Sequence, residues 1–186
     1  MKSQKEKMLS GELYFAGDEE LTKERLKARE LIKKYNSIPE EQPEKLTATL
    51  KDLIPNGGKE LVVQPPFFCD YGYNIKTGDG VYFNFNCVIL DGMEVSIGSR
   101  SMFGPNVQIY TASHPLNAKE RASLLEFSKA IEIGEDVWVG GNVTICPGVK
   151  IGNRAVIGAG SVVTKDIPDD VFAAGNPCKV IKKIEK

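Results

Sequence analysis

Isoleucine or valine stands at positions 133, 139, 145, 151, 157 and 163, six residues apart without a break. Gly134, Gly140, Gly152 and Gly158 each follow one of these aliphatics directly. The same beat is present upstream at Ile97-Gly98, Phe103-Gly104 and Ile109. Six is neither a helical period nor a simple strand period. It predicts a mainly β stack of coils, a prism whose flat faces are short strands and whose corners are tight turns. Each aliphatic then points inward and lies under its equivalent in the next coil at the sheet spacing of roughly 4.8 Å.

The first 60 residues follow another pattern. Leu21, Arg25, Ala28, Ile32 and Tyr35 share a helical face in a charged segment, and Leu46, Leu50, Leu53 and Ile54 form a second amphipathic stretch. Pro39, Pro43 and Pro55-Asn56-Gly57-Gly58 punctuate them. Two or three helices in 1–60 are expected to cap the coils, which fill 61–172. The segment 111–130 breaks the beat and predicts a protruding loop, and an interrupting loop of that length usually has a function. A turn and a basic tail occupy 173–186.

Composition narrows the function by exclusion. The net charge of −1 offers no field for nucleic acid or anionic lipid. No apolar run is long enough to span a membrane, so a cytoplasmic, membrane-free protein is expected. Cys69, Cys87, Cys146 and Cys178 are far apart and read as free structural thiols. A catalytic zinc needs about three protein ligands, and a single histidine cannot supply them. No metal is expected. Nothing resembles a P-loop or a dinucleotide fingerprint.

The hexads, with Trp138-Val139-Gly140-Gly141 and the run from Ile157 to Asp166, resemble the hexapeptide-repeat acyltransferases. Lys5-Glu6-Lys7-Met8, Gly11-Glu12-Leu13-Tyr14, Cys69-Asp70-Tyr71-Gly72-Tyr73-Asn74-Ile75, Tyr110 to Pro115 and Gly175-Asn176-Pro177 are similar to motifs of the maltose O-acetyltransferases, close cousins of the galactoside enzymes. The resemblance spans nearly the whole chain. It implies a left-handed parallel β-helix and transfer of an acetyl group from acetyl-CoA to a sugar hydroxyl of the glucose or maltose type. It also implies a homotrimer with active sites at the subunit interfaces.

Acetyl transfer needs a base for the hydroxyl, donors for the tetrahedral oxyanion and a groove for a long cofactor. His114, on the interrupting loop, is the one side chain that titrates unperturbed near neutrality. The resemblance makes it the general base. It assigns Asn84 to the acceptor and oxyanion, although Asn84 also reads as a turn asparagine. Acceptor contacts carry over to Asp70, Tyr82 and Asp91, with Asp18, Arg25 and Glu126 completing the pocket. Gly92 stands where the galactoside enzymes have a second aspartate, and Glu126 where they have a methionine; both departures favour the maltose branch. For acetyl-CoA the candidates are Trp138, Gly141, Ala159, Thr164, Lys165, Lys179 and Lys182, with the Gly141 N–H as an oxyanion donor. The same coil and histidine loop occur in serine and antibiotic acetyltransferases. A non-catalytic scaffold is the alternative outside enzymes.

Overall fold

The computed structural model describes residues 2–185. Three parallel sheets form the sides of the prism. Face 1 runs through Val62–Val63, Tyr82–Phe83, Met102–Phe103, Trp138–Val139, Val156–Ile157 and Val171–Ala174, with Lys179–Lys183 added antiparallel at its edge. Face 2 runs through Phe67–Cys69, Cys87–Leu90, Gln108–Tyr110, Thr144–Ile145 and Val162–Val163. Face 3 runs through Ile75–Thr77, Val95–Ile97, Ile131–Ile133 and Lys150–Ile151.

The hexad aliphatics point inward as expected, with Ile133, Val139, Ile145, Ile151, Ile157 and Val163 all buried. Val139 pairs with Ile157, three hexads on, so one coil is three hexads long. Two positions earlier in each hexad lies a second inward residue: Val137, Val143, Val149, Ala155 and Ser161 are buried too. The lower coils carry aromatic rungs. The Phe83 and Phe103 rings stack at 4.4 Å and 13°.

Two of the three corners turn on a left-handed residue, and the sequence supplies it differently at each. Between faces 1 and 2 the column is Asn86, Asn106, Asn142 and Gly160, all at positive φ. Between faces 3 and 1 it is Arg100, Asp136, Arg154 and Asp170. There Arg100 Nε lies 2.6 Å from Asp136 Oδ1, and Arg154 Nε lies 2.6 Å from Asp170 Oδ1.

The cap contains α1 (Gln4–Leu9), α2 (Glu19–Asn36) and α3 (Pro43–Leu53). α2 buries Leu21, Ala28, Ile32 and Tyr35. It docks on the first coil through Asn36, whose Nδ2 donates to the Phe67 carbonyl and whose Oδ1 accepts the Phe67 N–H. Among the described residues no helix is long and apolar enough to cross a membrane.

The interrupting loop is more ordered than its composition suggests. Ala112–Ser113 and Leu125–Ser128 pair antiparallel, and α4 (Ala118–Arg121) spans the tip. A strand absent from the sequence reading, Tyr14–Phe15, joins them, with Tyr14 opposite Glu126 and Phe15 opposite Leu125. The N-terminal segment therefore holds down the base of the loop.

Candidate active site

One cleft, where face 2 turns toward face 3, brings together Tyr14, Arg25, Asp70, His114 and Glu126. Arg25 reaches it from α2, with Nη1 donating to Tyr71 Oη at 2.7 Å and Nη2 to the Ala16 carbonyl at 2.6 Å. Asp70 follows the first strand of face 2. Burial pushes its carboxyl up from the ordinary value, and the Arg25 charge pulls it back.

His114 leaves the loop strand half-exposed. Its Nδ1 lies 3.4 Å from the Leu125 carbonyl, which can only accept, so Nδ1 carries the proton and the Nε2 lone pair is free to take one. Glu126 Oε2 is 3.7 Å from Nε2. The other Glu126 oxygen accepts the Tyr14 hydroxyl.

The remaining candidates lie elsewhere. Asn84 stands on the corner between faces 1 and 2, where its Oδ1 accepts the Phe85 N–H at 2.8 Å. That is the local turn bond the sequence allowed. Tyr82 lies beside it, outward on face 1. Further along the same corner come Pro105, Gly141 and Ala159. The Asn142 N–H donates to the Pro105 carbonyl and the Gly160 N–H to the Gly141 carbonyl, each at 2.9 Å or less. The Gly141 N–H has no acceptor among the described residues. Small side chains at Gly141 and Ala159 leave the backbone of this corner open to close approach. Trp138, 54% exposed, flanks that corner on face 1.

Thr164 and Lys165 are exposed on the other corner, the one that bears the His114 loop. Lys179 and Lys182 lie on the edge strand of face 1, opposite Ala174 and Phe172. A single chain thus carries two groups of candidates on opposite edges of face 2.

One sequence expectation, Asp91, is corrected, and Asp18 has a structural duty of its own. Asp18 is the N-cap of α2; its Oδ1 accepts the Glu20 and Leu21 N–H groups, and it does not line the cleft. Asp91 is fully buried, and its carboxylate accepts the N–H groups of Asp70, Tyr71 and Gly72. It shapes the Asp70 turn and is closed to an acceptor. Tyr14, Tyr71 and Arg29 line the cleft unanticipated; Tyr14 and Tyr71 sat in recognised motifs, but nothing in the sequence aimed them there. Among the described residues no three His, Cys, Asp or Glu side chains are grouped to hold a metal.

Residues 7–58 match the maltose acetyltransferase hexapeptide capping motif, and residues 130–165 match the bacterial transferase hexapeptide of six repeats. A galactoside O-acetyltransferase of Lactococcus lactis is 44% identical over 93% of the chain and 84% of its own length. The chain belongs to the hexapeptide-repeat acetyltransferase family. Within that family, the crystal structure of a maltose O-acetyltransferase from Clostridium difficile 630 is 49% identical, with a TM-score of 0.98 over 100% of this chain and 99% of that one. A galactoside acetyltransferase in complex with coenzyme A is 38% identical, with a TM-score of 0.96 over 100% of this chain and 92% of the other.

Proposed function

We propose that this protein is an acetyl-CoA-dependent O-acetyltransferase that acetylates a sugar of the glucose or maltose type, at the primary hydroxyl. The observation that carries the reading is the free Nε2 of His114, facing a cleft whose other walls are Arg25, Asp70 and Glu126. Carboxylates and a guanidinium can fix the hydroxyls of a sugar in one pose. Family membership and the coenzyme A complex of a 38% identical relative support the cosubstrate.

In the reaction His114 Nε2 takes the hydroxyl proton while the oxygen attacks the thioester carbonyl. The resulting oxyanion is held by the Gly141 N–H and Asn84 Nδ2. When the C–S bond breaks, the imidazolium returns its proton to the thiolate. Acetyl-CoA supplies the activated acetyl group. Its arm lies along the corner of Gly141 and Ala159 beside Trp138, with Thr164, Lys165, Lys179 and Lys182 available to its phosphates and adenine.

The separation of the two candidate groups supports a site shared between copies of the chain, one giving the His114 cleft and the next giving Asn84, Tyr82, Gly141 and Ala159. Face 1 presents an outward ladder of Val62, Tyr82, Met102, Trp138, Val156 and Phe172, in register strand by strand. Several of its members are exposed large apolar residues, as expected of a face that pairs with another subunit. A closed homotrimer satisfies both features.

Thiol release from acetyl-CoA, measured with and without glucose or maltose, tests the reading. Sugar-stimulated release that falls at least about a hundredfold in His114→Ala supports it. Equal rates in the two proteins, with no binding of CoA, would leave only a scaffold.

A further inference from the structure

The proposed chemistry leaves one contact unused. Glu126 sits between the base and a residue of the N-terminal segment, with one oxygen facing His114 Nε2 at 3.7 Å and the other taking the Tyr14 hydroxyl. Resting on the assignment of His114 as base, we infer that Glu126 is the charge partner of His114 and that Tyr14 is the residue that positions it.

Three observations carry this. Glu126 is tied to Tyr14 twice, by side chain and by strand register, so the carboxylate has little freedom to swing into solvent. Tyr14 is 1% exposed, and burial, reinforced by Glu126, raises its phenol well above the ordinary value. It therefore stays protonated and can only donate to Glu126. The space for this arrangement exists because residue 92 is glycine. A Cβ there would lie 2.6 Å from Ser128 Oγ and 3.3 Å from the Tyr14 hydroxyl, the group that bonds Glu126. A side chain at 92 would crowd the Tyr14 hydroxyl from below.

The consequence for the reaction follows from electrostatics. At 3.7 Å the neutral imidazole and the carboxylate share no hydrogen bond, so the base remains free for the acceptor hydroxyl. Once Nε2 holds the proton, the same separation becomes an ion pair in a partly desolvated cleft, stabilising the charge that appears in the transition state. Glu126 thus acts on the chemical step, and the Tyr14 hydroxyl links the N-terminal segment to it.

Tyr14→Phe, Glu126→Gln, the double variant and His114→Ala, all in the otherwise unaltered protein, test this under saturating acetyl-CoA. Each single variant is expected to lose about tenfold in kcat, with the KM for acetyl-CoA unchanged. The double variant should be no worse than Glu126→Gln, because the two residues act as a unit. Tyr14→Phe keeps the buried ring, and Glu126→Gln alters a group at the cleft surface, so melting curves close to wild type are expected for both. If His114→Ala is inactive while both variants keep wild-type kcat, the inference fails and the base stands. A change confined to acceptor KM would also overturn it, leaving Glu126 as a sugar contact. If wild type acetylates no sugar and His114→Ala changes nothing, the functional reading fails first and this inference with it.

Discussion

Asn84 and His114 stand at opposite edges of the same face of one chain: Asn84 on the corner where face 1 becomes face 2, His114 on the loop by which face 2 leaves for face 3. A site shared between subunits predicts complementation. His114→Ala and Asn84→Ala, each inactive alone, should regain a fraction of activity when refolded together, because some interfaces then carry both native residues. Mixed assemblies as dead as either parent would show that one chain supplies both groups.

The capping role of Asp18 has its own signature. Replacing an N-cap carboxylate by alanine costs about 1 kcal/mol. Asp18→Ala should therefore lower the melting temperature while leaving the KM for the acceptor unchanged. A raised acceptor KM with normal stability would return Asp18 to the pocket.

Neighbouring glycines on the proposed cofactor corner should separate cleanly. A Cβ on Gly140 would lie 2.6 Å from the Ala159 backbone nitrogen, so Gly140→Ala is expected to destabilise by about 1–3 kcal/mol. At Gly141 the nearest atom is the Pro105 carbonyl oxygen at 3.2 Å, a contact that small shifts relieve. Gly141→Ala should fold and bind CoA more weakly, by calorimetry. Equal behaviour of the two variants would contradict the cofactor placement along this corner.

Asp91 predicts a pH dependence of stability. Burial pushes its carboxyl up to about 7, against three backbone donors that favour the charged form. In the unfolded chain it titrates near about 4. Between these values the native state holds a proton that the unfolded state has released. The stabilisation from this group is therefore complete below pH about 4 and is lost as pH rises through about 7. Asp91→Asn should melt lower throughout, since its amide cannot accept all three donors, and should show a shallower slope between about pH 5 and 7. An unchanged slope would place the titration elsewhere.

The periodic part of this protein was legible because burial repeats with the chain. One aliphatic every six residues is enough to specify faces, corners and length. The candidate site was legible residue by residue but not as an arrangement. His114, Arg25 and Asp70 were expected to meet, and they line one cleft. Asp18 and Asp91 look identical in sequence to carboxylates that bind sugars, and only backbone geometry shows that both accept N–H groups and that Asp91 is sealed from the surface. The strand at Tyr14–Phe15 was hidden because two residues carry no period, and its partner is more than a hundred positions away.

The column of Pro105, Gly141 and Ala159 rises by one sheet spacing per coil, so this corner works as a gauge marked in steps of roughly 4.8 Å. A molecule lying along it is measured in whole rungs. Removing three hexads would shorten the gauge by one rung and leave every inward side chain in phase. Removing a single residue would turn the following strands inside out. On the proposed placement of acetyl-CoA, the spacing between two contacts along this corner can change only in whole-coil steps.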